Sequence, residues 1–254
     1  MTLNDIRSFL NAKEIQYNQP KFIESDPISI PHSYLNVQDI EIAGFFAATL
    51  AWGQRKTIIK NSNRLMGAMG DSPHEFVLNH TEGDRQKLED FVHRTFQFID
   101  LSFFLESLQN IYRHYDSMED LFLIAPEENN PKHALGRFRE HFFTIEHPDR
   151  SRKHVSDPFS NSAAKRLNMF LRWMVRKDKR GVDFGIWKRI PQAKLSCPLD
   201  VHSGRVARAL GLLQRTQNDW TAVEELDISL RQLDSADPVK YDFALFGLGV
   251  FEDF

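Results

Sequence analysis

The stretch "CPLDVHSGRVARALGL", Cys197–Leu212, decides how the chain folds around its most unusual residues. Asp200 stands where a helix N-cap stands, just ahead of a run in which Val206 and Leu210 recur at helical spacing, so a helix is predicted over 201–213. A proline, an aspartate, a histidine and two arginines crowd the mouth of that helix. Asp200 therefore has two candidate tasks: accepting backbone N–H bonds of the first turn, the commoner role for a lone aspartate, or acting on something bound at the helix end.

The same periodicity recurs outward from this point. Apolar residues at helical spacing predict helices over roughly 3–15, 37–52, 56–68, 100–115, 131–145, 162–177 and 220–233. "SPHE", Ser72–Glu75, reads as a capping box with proline at the first helical position. "DPVKYDFALFGLG" starts with Asp237 as cap and Pro238 in the first turn, and ends on glycine. Alternating strand patterns are scarce, so the fold class is all-α. Segments near 25–35 and 125–133 read as loops rather than linkers, and 254 residues with 41% hydrophobic content suit one two-lobed helical domain over 1–254.

The single cysteine, Cys197, excludes a disulfide within the chain and a cysteine cage for zinc or an iron–sulfur cluster. No run of about 18 apolar residues occurs, and "MTLNDIRSFLNAKEIQ" lacks the apolar stretch of a signal peptide. A soluble, cytoplasmic protein without metal or cofactor is expected. Residues 150–215 hold 16 of the 32 Lys+Arg but only Asp157, Asp178, Asp183 and Asp200 of the 35 Asp+Glu, against a net charge of −3 for the whole chain. That bias fits either a solvated basic helix pair or a phosphate-facing surface on an acidic body.

Two helices carry this charge. In "SNSAAKRLNMFLRWMVRKDKR", Leu167, Phe170, Leu171 and Met174 form one apolar face, while Lys165, Arg172 and Arg176 fall at i, i+7 and i+11 on another. In the helix after Asp200, Arg205 and Arg208 lie on neighbouring sides. A carboxylate at a helix N-terminus among cations is suited to stabilise a transient positive charge while arginines hold phosphates.

The run "SAAKRLNMFLRWMVRKDKRGVDFGIWKRIPQAKLSCPLDVHSGRVARALGL" resembles the catalytic core of the helix-hairpin-helix (HhH-GPD) DNA glycosylases. Their "P-[VL]-D-x-H-x-x-R" element is matched by Pro198, Asp200, His202 and Arg205. Their catalytic lysine usually lies just under twenty residues upstream, where only Lys179 and Arg180 are near. The interval from Lys165 to Asp200 is closer to that of the archaeal 8-oxoguanine glycosylase branch, which shares a "K…RGV…P-x-D" order. "FFAATLAWGQRKTIIKNSNRLM", 45–66, is similar to the early helix and turn of these enzymes, with Gln54 in the turn. "DPVKYDFALFGLG" is similar to the late helix closing their base pocket, with Asp242 and Phe246 on one face. The glycine-rich "LPGVG" hairpin is absent, and "DPFSNSAAKR" stands in its place. The whole chain is also similar to an uncharacterised bacterial family placed beside that superfamily without an assigned reaction.

The resemblance implies a two-lobed helical bundle with a cleft between lobes, and a base-excision glycosylase and AP lyase acting on a damaged, 8-oxoguanine-like purine. Lys165 would attack the sugar as a neutral amine, with Arg166 and Arg172 as neighbouring cations that lower its pKa, and Asp200 would stabilise positive charge at the sugar. Gln54, Asp242 and Phe246 would line the base pocket. Arg166, Arg172, Arg176, His202 and Arg205 would contact DNA. The implied partner is double-stranded DNA containing a damaged base, met by a nucleoid-associated monomer with no membrane contact.

Other readings stay open on the residues alone. A non-catalytic DNA- or RNA-binding module would keep the basic segment without needing Lys165 and Asp200 to meet. A metal-dependent phosphohydrolase would draw on Asp200, His202, His154 and His32, although no two histidines share an "HxxxH" helix. Trp187 is either a wedge for a base stack or a tryptophan packing a loop.

Overall fold

The computed structural model describes residues 1–252 and 254. The protein is all-α: the helices are α1 (Leu3–Tyr17), α2 (Pro20–Glu24), α3 (Val37–Leu50), α4 (Arg55–Met69), α5 (Pro73–Asn79), α6 (Glu82–Gln86), α7 (Phe98–Tyr112), α8 (Lys132–Phe142), α9 (Lys165–Val175), α10 (Val201–Ala209), α11 (Trp220–Leu233) and α12 (Tyr241–Phe251). A two-residue antiparallel hairpin, β1 (Val92–His93) and β2 (Phe96–Gln97), is the one sheet among the described residues. Two compact units divide the chain, one of Met1–Phe22, Leu123–Gly136 and Asp157–Phe254, the other of Ile23–Phe122 and Arg137–Ser156. No helix among the described residues is long and apolar enough to cross a membrane.

In the first unit α12 is the central element, with Tyr241, Phe243, Ala244, Leu245 and Leu248 all buried, and α1 and α10 pack against it. The sequence pattern predicts an end on glycine, but the helix runs through both Gly247 and Gly249. Packing explains this. A Cβ on Gly247 would stand only 2.2 Å from the ring of Tyr17 from α1, and one on Gly249 would press on His202 of α10. Glycine here admits two neighbouring helices instead of ending its own.

In the second unit α3 is buried along most of its length, with α4 and α5 against it. Phe45 meets Phe104 and Phe142 at ring centroids of 6.0 and 5.5 Å, and Phe104 meets Phe142 at 4.8 Å, an offset and edge-on aromatic core. Buried carboxylates there accept hydrogen bonds from neighbouring elements. Glu41 accepts from Tyr112 Oη at 2.7 Å and the Met118 N–H at 3.2 Å, and Asp39 accepts from the His74 N–H at 2.8 Å.

Helix ends depart from the pattern where local chemistry competes. α9 begins at Lys165 rather than 162 because Asn161 and Ala164 adopt left-handed backbone, φ +62° and +45°. α10 stops at Ala209 rather than 213, since Gly211 at φ +73° turns the chain and the Leu212 N–H bonds back to the Ala207 carbonyl. Ser72 does cap α5, accepting from the Glu75 N–H at 3.3 Å. Asp237 does not act as the predicted cap: both its oxygens accept from Arg176 Nε, at 3.1 and 3.0 Å.

Candidate functional site

Lys165 owes its place to the turn before it. Asp157 accepts from the Phe159 N–H and the Ser160 hydroxyl, both at 2.9 Å, and Ser162 Oγ accepts from the Ala164 N–H at 3.2 Å. These side-chain bonds compete with helix over 157–164, so the lysine becomes the first residue of α9. Behind it Leu167, Phe170, Leu171 and Met174 anchor the helix in the core.

Asp200 is the N-cap of α10, and its Oδ1 accepts from the His202 and Ser203 N–H groups at 2.9 and 3.0 Å. Ser203 Oγ accepts the Asp200 N–H in return at 2.9 Å. The other oxygen, Oδ2, lies 3.5 Å from Lys165 Nζ. One carboxylate thus caps a helix and faces a lysine at once. The two side chains are 28% and 21% exposed, open enough for a ligand to reach.

Beneath this pair sits Asp242, buried, with one oxygen ion-paired to Arg172 and the other 3.8 Å from the Cys197 thiol. Burial pushes Asp242 up to about 6; Arg172 pulls the other way, and the charge of Asp200 adds to the upward push. Burial with the Asp242 and Asp227 carboxylates raises the Cys197 thiol, which keeps it protonated and inert.

The basic stripe expected of α9 is turned inward. Arg172 and Arg176 are only 4% and 2% exposed. Arg172 pairs with Asp183 at 3.2 Å and with Asp242, and lies over the Phe243 ring at 4.3 Å. Arg176 pairs with Asp183 and Asp237 at 3.0 Å and with Asp178 at 2.8 Å. Neither guanidinium is available to a phosphate, which corrects their assignment as DNA contacts, and Arg172 is no uncompensated cation beside Lys165. Residues buried on a helix must satisfy their charge inside, and of the acids doing so Asp237 and Asp242 come from distant sequence.

A family model matches residues 26–251, a span that includes Lys165, Asp200 and Asp242. The chain belongs to the DUF2400 family, described as a protein of unknown function. No match was found among curated proteins or among solved structures.

In this DUF2400 protein the remaining expected residues are scattered in role. His202 and Arg205 are exposed on α10, and both reach the Gly249 carbonyl near the end of α12, at 3.2 and 2.9 Å. Arg166 is half-buried, and desolvation lowers its guanidinium to about 10. Phe246 is half-buried and edge-on to Phe22 at 6.2 Å. Gln54 is exposed at the N-cap position of α4, in the second unit, with no side-chain cap bond. Trp187 is 2% exposed and edge-on to Phe170 at 5.3 Å, so it packs a loop and is no wedge. His154 lies 3.4 Å from buried Asp100 in the second unit, and no group of three His, Cys, Asp or Glu among the described residues could hold a metal ion.

Sequence reasoning missed Ser203 and Asn218. Asn218 Nδ2 donates to the Asp200 carbonyl at 2.9 Å, across 18 positions, and no local pattern announces a bond of that span. Ser203 had a signal, Asp-x-x-Ser at a helix start, of the capping-box kind. Together the DUF2400 site offers an amine and a carboxylate in contact at two helix N-termini, an arrangement suited to nucleophilic attack on an electrophilic carbon that develops positive charge.

Proposed function

We propose that the protein is a base-excision DNA glycosylase with AP lyase activity, of the two-lobed helix-hairpin-helix type, acting on an 8-oxoguanine-like purine in double-stranded DNA. The observation that carries this reading is the 3.5 Å approach of Lys165 Nζ to Asp200 Oδ2, between residues 35 positions apart. A non-catalytic binding module has no need of that encounter. The substrate class rests on the resemblance of the sequence to the archaeal branch.

In this reading the Lys165 amine, having lost a proton, attacks C1′ as the bond from C1′ to the base breaks and the base leaves with a proton. Asp200 opposes the oxocarbenium charge that develops at the sugar. The C1′–O4′ bond then breaks, O4′ taking up a proton as the nitrogen gives one up, and the open-chain imine results. Removal of a C2′ proton then expels the 3′ phosphate and cuts the strand. Arg166, His202 and Arg205 are the side chains assigned to phosphates, since Arg172 and Arg176 are buried. Asp242 contributes by holding Arg172, and Phe246 keeps a part in base recognition on the resemblance alone.

Borohydride trapping on lesion-bearing duplexes tests the reading, because only an imine is reduced to a stable covalent adduct. Lys165→Gln should abolish the adduct and strand cleavage with DNA binding nearly intact, while Lys179→Gln and Lys188→Gln retain both. An adduct that survives Lys165→Gln and disappears in Lys179→Gln moves the nucleophile to the shorter spacing. Absence of any adduct on any lesion transfers the protein to the non-catalytic, nucleic-acid-binding reading.

A further inference from the structure

We infer that Asn218 is a positioning residue for Asp200, an inference that rests on the proposed glycosylase reading. Because Asp200 Oδ1 is committed to the first-turn amides of α10, the direction of Oδ2 follows from the orientation of the Asp200 peptide. That peptide is held by two bonds to its carbonyl oxygen: the Gly204 N–H at 2.9 Å, which is the ordinary helical bond, and Asn218 Nδ2 at 2.9 Å.

The amide of Asn218 is itself oriented. Its Oδ1 accepts from Arg208 Nη2 at 2.6 Å, and Arg208 Nε donates to the Arg215 carbonyl at 2.7 Å, so donor and acceptor ends are assigned by their partners. Space for this chain of bonds comes from Gly204, where a Cβ would stand 2.8 Å from both Arg208 Nη1 and Asn218 Oδ1. On its other side Asn218 adjoins Asp219, the N-cap of α11, which accepts from the Ala222 N–H at 3.0 Å and is ion-paired to Arg215. Asn218 therefore ties the start of α10 to the start of α11. It acts on Lys165 only through Asp200.

Asn218→Ala and Asn218→Asp test this in the full chain. The aspartate keeps the acceptor for Arg208 but offers no donor to the Asp200 carbonyl. With a duplex carrying one abasic site, single-turnover borohydride trapping should slow about tenfold in both variants while affinity for that duplex stays within about twofold, the scale set by removing one oriented hydrogen bond. Exchange of the His202 and Ser203 amides, which report the cap without any DNA, should speed up by a similar factor, with amides late in α10 unchanged. Wild-type trapping rates in both variants overturn the inference. So does a rate loss matched by equal losses of affinity and thermal stability, which marks a structural residue. No adduct from the unmutated protein strikes the glycosylase reading instead, and is read separately from either variant.

Discussion

Asp200 divides its two oxygens between tasks, and that division is measurable one residue at a time. Asp200→Asn keeps an acceptor for the first-turn amides, and asparagine ranks with aspartate as an N-cap, so thermal stability should change by no more than about 2 °C. Replacing the charged oxygen beside Lys165 should nevertheless cut trapping by orders of magnitude; wild-type turnover would leave Asp200 as a cap and nothing else. A second carboxylate, Asp227, accepts from the Ser196 hydroxyl at 2.5 Å and the Cys197 N–H at 3.2 Å, and burial pushes it up to about 6. A carboxyl that holds its proton more tightly folded than unfolded contributes stability that is full below about pH 4 and lost as pH rises through 6. Relative to Asp227→Asn, the wild type should therefore lose about 2 kcal/mol of unfolding free energy between pH 4 and pH 7 in denaturant titrations. A pH-independent difference between the two would remove burial as the dominant influence. Of these residues only Asp200 was legible in sequence, by its place before a helical run. Asp227 lies in mid-helix, and nothing within a turn of it shows that it serves a loop 30 residues away.

Elements were legible wherever the periodicity was long and the caps were local. Ten of the twelve α-helices among the described residues correspond to predicted segments, whereas the five-residue α2 and α6 are too short to show a period. Boundaries failed where a side chain or a left-handed residue redirects the backbone, as at Ala164 before α9 and Gly211 after α10. The reading of Gly249, the last residue of "DPVKYDFALFGLG", as an end signal failed because its reason lies on another helix. In an exposed helix Gly→Ala gains about 1 kcal/mol. At Gly247 the added methyl meets the Tyr17 ring, so Gly247→Ala should instead destabilise by about 1–3 kcal/mol, the range for overpacking. A raised melting temperature in Gly247→Ala would show that α1 gives way freely and that the close approach of α1 to α12 is not tight.

For the molecule as a whole, the charge count along the chain and the charge that faces outward are different quantities. Arg176 is enclosed by Asp178, Asp183 and Asp237, so Arg176→Met should cost about 3–5 kcal/mol by removing the cation that these carboxylates share in the interior. Arg205, exposed on α10, should behave differently: Arg205→Ala costs about 1 kcal/mol of stability with its hydrogen bond to the Gly249 carbonyl, weakens binding to all duplex sequences alike, and lowers the salt slope by about 0.9, the value for one phosphate no longer neutralised. Affinity for duplex that does not depend on salt would dismiss the phosphate-facing surface. The sequence by itself determined the all-α class, the main helices and the cap at Asp200, because these depend on residues within a turn or two of one another. It also singled out Lys165 and Asp200, through a motif and an interval. Only tertiary structure decided that the two side chains meet, that Arg172 and Arg176 are sealed inside by acids from as far away as Asp242, and that Asn218 grips the Asp200 carbonyl. Those outcomes are set by which helix faces pack together, and a charge or a hydrogen bond finds its partner across that packing regardless of distance along the chain.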